Sequence, residues 1–392
     1  ASTVTVVSNN GYFINTTSNA CTITLPSSAS AGDQIILADY ARNWATNAIT
    51  IDSNGLLFQG ETDAFIVDYD TAGQAVNLVY SGATVGWTPA SDIVSAFEPV
   101  APTIQRAIFA FGYTSSNVSM SNLVSSSGVV GSDVTGVGTA RHYLAAVSYG
   151  GDKAIFGYGE NASGNVSMTN LVNNSGVVAA DVSGVGTART GLAAASYGGD
   201  KAIFGYGQID GGAKSSLTNL VGNTGTVASD VSGVGTARAY LAAASYGGDK
   251  AIFGYGETGS YVSMTNLVNN SGVVAADVTG VGTARRLLAA AGYGEDKAIF
   301  GYGQSSGGYV SMTNLVNSSG VVGSDVSGVG TARRLLAAAS YGGDKAIFGY
   351  GFTGSNVSMS NLVNNSGVVA ADVTGVGTAR YALGAAGYSY SA

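Results

Sequence analysis

Cysteine is almost missing from this chain. Cys21 stands alone among 392 residues, so no intrachain disulfide framework can form. A small buried position suits it better than a nucleophile's role. Histidine is equally scarce. With His142 alone, neither a histidine-based metal cluster nor a Ser-His-Asp triad repeated along the chain can be built. On its own it reads most simply as a surface residue. Charge is low too: only 10 % of residues are Asp, Glu, Lys or Arg, against about 25 % in ordinary globular domains. Disorder needs low hydrophobicity and high net charge. Here 45 % of residues are hydrophobic, and they alternate with polar ones, so a packed core is expected. No apolar run approaches the roughly 18 residues that a membrane helix needs. The opening Ala1-Ser-Thr-Val-Thr-Val6 has no basic n-region, so no signal peptide is expected.

The net charge of −8 is concentrated near the start. Residues 1–100 hold nine acids and one base, Arg42; the rest is balanced at 15 of each. Neither part offers a basic patch, which argues against nucleic-acid binding.

What the chain has in abundance is glycine, at 59 residues, and repetition. Lys153-Ala-Ile-Phe-Gly-Tyr-Gly159 recurs from Lys201, Lys250, Lys297 and Lys345, and a diverged copy begins at Arg106. The starts lie 47, 48, 49, 47 and 48 residues apart, which makes six units between residues 106 and 392. Self-similarity at this period signals a repeat architecture. In the second unit, Ala154–Gly159, Val166–Val172, Val177–Val182 and Arg189–Tyr197 read as strands. They are separated by Asn173-Asn-Ser-Gly176, Gly184-Val-Gly186 and Gly198-Gly-Asp200. Four strands in about 40–50 residues is the unit of a propeller blade. Leu192-Ala-Ala-Ala-Ser196 is small enough for an innermost strand crowded at an axis. Alternation puts Ala154, Phe156 and Tyr158 on one face and Ile155, Gly157 and Gly159 on the other, so aromatics of one blade can lie over glycines of the next.

Arg189-x-x-Leu192-Ala-Ala-Ala-Ser-Tyr-Gly-Gly-Asp-Lys-Ala-Ile-Phe-Gly-Tyr-Gly207 resembles the kelch-type β-propeller repeat: an Arg, an apolar strand, a Gly-Gly turn, a second apolar strand, then glycines. The resemblance extends over residues 104–392. It departs from the family in lacking a late Trp in each repeat, since Trp44 and Trp87 both precede the repeats. The expected fold is therefore all-β: a six-bladed propeller with four-stranded blades after a small β-domain. Because the first unit starts at a blade's second strand, near Ile104, the final Arg380–Tyr388 stretch is expected to complete the first blade.

Comparing the units locates a candidate binding face. The spacing from Asn122, Asn170, Asn219, Asn266, Asn314 and Asn361 to Arg141, Arg189, Arg238, Arg285, Arg333 and Arg380 is always 19, and from Arg to the next Lys always 12. Length varies only between the glycine and the Asn, by 10, 11, 12, 10, 11 and 10 residues. That loop and the pair after each Arg also vary most in sequence. In an up-and-down blade both belong to one face. Function concentrates on loops held by a rigid scaffold, and the aromatics there suit recognition. The candidate ligand-binding residues are His142, Tyr143, Tyr240, Tyr261, Arg286, Tyr309, Arg334, Phe352 and Tyr381. Neutral drift at exposed positions is the competing reading.

Asp133, Asp181, Asp230, Asp277, Asp325 and Asp372 also recur at fixed distance from the six arginines. They read as structural Asp–Arg pairs or turn caps rather than as catalytic carboxylates, because an active site has no need of six copies. No catalytic residue, cofactor or metal site is expected: calcium loops need clustered carboxylates, and Gly157-Tyr-Gly159 is followed by no helix. Sequons such as Asn117-Val-Ser119 reflect composition.

Residues 1–88 also read as strands: Val4–Val7, Tyr12–Asn15, Cys21–Leu25, Gln34–Asp39, Ile49–Ile51, Phe65–Asp68 and Ala75–Tyr80. Residues 89–103, with Pro89, Pro99 and Pro102, read as a linker. Cys21-Thr-Ile-Thr-Leu-Pro26, Ala31-Gly-Asp-Gln-Ile-Ile-Leu-Ala-Asp-Tyr40, Ala48-Ile-Thr-Ile51, Val76-x-Leu78-Val-Tyr80 and Gly86-Trp87 resemble small β-domains of bacteriophage tail fibres and related virion appendages. That resemblance implies a virion structural protein located on a tail fibre, appendage or capsid surface. Its N-terminal domain would attach to other virion proteins and assemble as a homotrimer. Its propeller would serve adhesion and host recognition, binding a host-surface glycan or protein, with no membrane insertion and no enzymatic activity. Two alternatives stand beside this: a capsid or tail decoration protein whose propeller joins other virion proteins, and a glycan-active propeller enzyme.

Overall fold

The computed structural model describes residues 2–62, 66–92 and 104–390. It is all-β and divides into two compact units, residues 1–102 and 103–392.

The first unit contains β1 (Ser2–Thr5), β2 (Asn10–Ile14), β3 (Cys21–Thr24), β4 (Gln34–Asp39), β5 (Ile49–Asp52), β6 (Val67–Tyr69), β7 (Ala75–Tyr80) and β8 (Trp87–Asp92). Two sheets form, in the orders β1-β3-β5-β6 and β2-β4-β7-β8. From β1 to β5 the chain alternates between them, and β6 then stays beside β5 as β8 does beside β7. Parallel neighbours need a long crossover, and here the crossover from β1 to β3, or from β3 to β5, is a strand of the other sheet. The pairs β1–β3, β3–β5 and β2–β4 are parallel; the rest are antiparallel. Alternation turns Cys21, Ile23, Ile35, Leu37, Ile49, Ile51, Val76 and Leu78 into one core with Trp44 and Trp87. Cys21 is buried, as its small size suggests. The expected strands recur within a few residues, with Phe65 outside the described residues. The linker needs correction. Residues 89–92 belong to β8, where Pro89 occupies an edge strand that tolerates its missing N–H. Residues 93–103 lie outside the described part.

In the second unit, β9 (Ile104–Ala110) and β10 (Ser121–Val124) begin the first of six sheets. β11 (Ala145–Tyr149), β12 (Lys153–Gly157) and β15 (Thr169–Val172) form the second, with a short hairpin of β13 (Glu160–Asn161) and β14 (Gly164–Asn165) inside its variable loop. The third is β16 (Ala193–Tyr197), β17 (Lys201–Gly205) and β18 (Thr218–Val221); the fourth is β19 (Ala242–Tyr246), β20 (Lys250–Gly254) and β21 (Thr265–Val268). β22 (Ala289–Tyr293), β23 (Lys297–Gly301) and β26 (Thr313–Val316) make the fifth, again with a loop hairpin, β24 (Gln304–Ser305) and β25 (Gly308–Tyr309). β27 (Ala337–Tyr341), β28 (Lys345–Phe352) and β29 (Asn356–Val363) make the sixth. The last strand, β30 (Gly384–Tyr390), returns to pair antiparallel with β9 from Gly384↔Ala110 to Tyr390↔Ile104. The first strands of successive sheets are neighbours: β11 with β16, β16 with β19, β19 with β22, β22 with β27, and β30 with both β27 and β11.

The sheets are three-stranded, not four-stranded. The expected outer strand, Val177–Val182 in the second unit, meets its sheet only at the bridges Val172↔Val178 and Thr169↔Val182, and its counterparts behave alike. Ala179-Ala180-Asp181 has poor β-propensity, and Asp181 is drawn away to Thr139 of the preceding unit.

Sheet-to-sheet packing explains the glycines. A Cβ on Gly157 would stand 2.8 Å from Phe204 Cζ, and one on Gly349 would stand 2.6 Å from Phe109 Cζ. Each glycine admits the phenylalanine of the next sheet, and Phe109 of the first sheet fills the last of these seats.

Polar contacts follow the same circuit. Each recurring Asp accepts hydrogen bonds from a Thr of the preceding unit, Thr139 to Asp181 through to Thr331 to Asp372. Thr378 then reaches Asp133 at 2.6 Å. The six arginines are fully buried, and each donates to an Asn, as Arg141 Nη2 does to Asn170 Oδ1 at 2.7 Å. The Asp–Arg pairing joins different units, with Arg141–Asp181 at 3.9 Å and Arg380–Asp133 at 4.0 Å. Arg141 leads into β11 and Asp181 follows β15 of the same sheet, so each pair joins two successive sequence repeats but sits at a single sheet.

These carboxylates predict an acid limit. Burial opposes their ionisation, but hydrogen bonds from Thr and Asn and the nearby Arg outweigh it, so all six sit below the ordinary 3.8. A pKa depressed on folding adds stability that is complete above the unfolded value and lost as pH falls through the folded one. By calorimetry, the six carboxylates should add no slope to the melting temperature between pH 7 and about 5. It should drop steeply once pH passes below 3.8. A melting temperature unchanged down to pH 2 would remove these carboxylates from the stability of the unit.

Candidate functional site

The variable pair and the variable loop of every sheet meet. His142 bridges Glu160, Thr190 bridges Gln208, Ala239 bridges Glu257, Arg286 bridges Gln304, Arg334 bridges Phe352 and Tyr381 bridges Tyr113. The second residue of each pair is left-handed, with φ from 52° at Tyr143 and Ala382 to 59° at Gly191 and Leu335. Five of the six are not glycine, and such a conformation costs about 1–2 kcal/mol for an L-residue. It turns each amide toward the preceding unit. Tyr143 N donates to Ala382 O, Gly191 to Tyr143, Tyr240 to Gly191, Leu287 to Tyr240, Leu335 to Leu287 and Ala382 to Leu335, all at 2.7–3.0 Å. Six hydrogen bonds thus form a closed loop that holds the strained pairs. Tyr143, Tyr240, Leu287, Leu335 and their neighbours line a small depression at this end.

Around it the aromatic rings make a continuous arc. Centroid separations are 6.4 Å for Tyr309–Phe352, 5.5 Å for Phe352–Tyr381, 5.5 Å for Tyr381–Tyr113 and 5.2 Å for Tyr113–His142. They continue at 4.6 Å for His142–Tyr143 and 5.5 Å for Tyr143–Tyr240. Gly191 makes the last contact feasible, since a Cβ there would meet the Tyr240 ring at 2.8 Å. Arg286 completes the arc by lying over Tyr261 at 5.0 Å and Tyr240 at 5.9 Å, and Arg334 covers Tyr309 at 5.0 Å and Phe352 at 5.6 Å. All nine residues expected from the sequence are therefore brought together, each half-buried.

The site also contains residues that sequence reasoning did not select. Tyr113 bridges Tyr381 and links two halves of the arc. Its signal was its register, one residue after the constant glycine, where Glu160, Gln208, Glu257, Gln304 and Phe352 stand in the other units. Tyr240 donates its hydroxyl to Gln208 Oε1 at 3.1 Å, and Lys214 Nζ lies 3.4 Å from Glu257 Oε1, which also pairs with Arg286. These polar residues were legible as variable loop positions but not as partners.

Burial opposes ionisation of two side chains in the middle of the arc, Tyr143 and His142. Burial pushes the Tyr143 phenol up to about 12, with Tyr240 and Tyr381 adding to it and Arg334 opposing. Burial lowers His142 below its ordinary value, against Glu160. His142 Nδ1 lies 3.2 Å from the Glu160 carbonyl oxygen. It is wedged between two tyrosines rather than standing free on the surface. Fixed rings with hydroxyl, amide and guanidinium groups at their edges can stack against a flat apolar face while hydrogen-bonding its rim. Among the described residues, no three of His, Cys, Asp and Glu gather to hold a metal.

No protein-family model matches the chain, and no curated protein matches it.

Proposed function

We propose that the second unit is a six-bladed β-propeller and that its aromatic end binds a host-surface glycan. The whole protein then acts as a non-enzymatic fibre or appendage component of a bacteriophage virion. The propeller reading is supported by six similar sheets, by the cycle of neighbouring first strands and by the pairing of β30 with β9. The binding reading rests on one observation: the pairs and loops that vary between units assemble into a linked arc of half-buried aromatics. Rings held in place beforehand lose little freedom on binding, and sugars present apolar faces bordered by hydroxyls. The virion role rests on the resemblance of the N-terminal unit to tail-fibre β-domains. In that unit Phe13, Ile36 and Tyr40 are exposed on β2, β4 and the turn beyond, which fits attachment or trimerisation there.

A second reading has its own support. Valines stand exposed along the outer segments of the repeats, Val177 at 60 % and Val273 at 61 % among them, and this suits a decoration protein that packs against other virion proteins.

A glycan array with the full chain tests the first reading, and the Phe352→Ala/Tyr381→Ala double variant tests the surface. At least tenfold weaker binding of whichever glycan the parent retains is expected, with an unchanged melting temperature. Binding unaffected by the double change would move the site elsewhere.

A further inference from the structure

Arg286 and Arg334 occupy the same place in successive units, one residue after the constant arginine. Each reaches back to the first loop residue of the preceding sheet, and there the two sites part. Arg286 meets a carboxylate, Glu257, which Lys214 also approaches. Arg334 meets an amide: its Nη1 donates to Gln304 Oε1 at 2.6 Å. No carboxylate of the described residues lies within ion-pair distance of Arg334, whereas the Nε of both arginines is buried without a partner. A half-buried guanidinium with no counter-charge is costly to hold, and it strengthens any anion that reaches it. It is flanked by Tyr309 and Phe352, and Phe352 stacks in turn on Tyr381.

Building on the glycan reading above, we propose that the ligand is an acidic saccharide. Its anionic group would dock on the uncompensated Arg334 guanidinium while a neighbouring ring face lies on Phe352 and Tyr381. Arginine offers a planar fork suited to carboxylates and sulfates alike. Gln304, standing where the preceding unit has Glu257, accepts from the fork but leaves its charge uncompensated.

The test uses the full chain and matched saccharides that differ only in charge: lactose, sialyllactose, sulfated lactose, and trigalacturonate beside its methyl ester. Calorimetric titration at about 0.15 M salt limits unspecific attraction. The acidic member of at least one pair should bind at least tenfold more tightly than its neutral partner, and the sulfated arm decides which anion is preferred. Arg334→Gln should bring the acidic affinity down to that of the neutral partner. Gln304→Glu, which supplies the missing counter-charge without removing the arginine, should do the same. Equal affinity for both members of every pair, or a preference that survives both variants, overturns the proposal and leaves the glycan reading intact. Failure of every saccharide, on the array and in solution, overturns the glycan reading itself.

Discussion

Deleting residues 380–392 should abolish cooperative unfolding of the C-terminal unit and leave a chain that aggregates. β30 supplies the antiparallel partner along one whole edge of β9, opposite β10. The deletion also removes Arg380, whose Nε donates to Phe111 O at 2.9 Å and whose Nη2 donates to Asn122 Oδ1 at 2.8 Å. It cuts the hydrogen-bond loop twice, at Tyr143 N to Ala382 O and at Ala382 N to Leu335 O. Ser148 Oγ loses Gly387 O as well. What remains is an open row of sheets whose first member exposes a bare, flat edge strand, the usual template for edge-to-edge association. Calorimetry should give a broad transition with little heat, and size exclusion should give multimers. A synthetic peptide of residues 380–390 added in trans should recover part of the transition. An unchanged melting profile after the deletion would mean that strand pairing at this junction does not close the unit.

Arg238→Met should cost about 3–5 kcal/mol, the range for breaking a buried charged pair by removing one partner. Arg238 is wholly buried and its guanidinium lies 4.3 Å above the Tyr206 ring. It donates to Tyr255 O at 3.0 Å, Thr236 O at 3.2 Å and Asn266 Oδ1 at 2.7 Å. Methionine fills much of the volume but leaves those acceptors unpaired. Arg189 provides an internal comparison, because its Nε is buried without a partner where the other five donate to a carbonyl. Arg189 Nη1 does reach Asp230 Oδ1, but at 3.4 Å, beyond good hydrogen-bond length, so Arg189→Met should be milder by about 1 kcal/mol, the net contribution of the missing Nε hydrogen bond. Denaturant unfolding of both variants measures the difference; equal losses would show that the Nε bond adds nothing.

The unit was legible because its code is repeated six times. Fixed spacing exposed Arg, Asn, Asp and Lys as constants, and the single loop of varying length marked the edge where backbone pairing imposes nothing. Phe156-type rings opposite Gly157-type glycines could be anticipated from alternation alone. Tyr113 escaped because its unit diverges, and its meaning depends on Tyr381, which is 268 residues away in sequence. The outer segments failed as strands because Asp181 and its counterparts serve the neighbouring unit, and a pattern of alternating valines does not reveal such a diversion. In the first unit, most strands were readable from alternation, but parallel stacking of β1, β3 and β5 was not. A strand's sequence specifies which face is buried, not which strand lies beside it.

By itself, then, the sequence determined the all-β class, the number of repeats, the inward and outward faces and the positions free to vary. Those properties are local: they follow from side-chain period, glycine's missing Cβ and turn chemistry. The tertiary structure alone decided that each Asp serves the arginine of another unit, that scattered tyrosines join into one arc, and that Arg334 meets Gln304 where Arg286 meets Glu257. Each of these depends on which residues of different units come within a few ångströms, and chain spacing leaves that open.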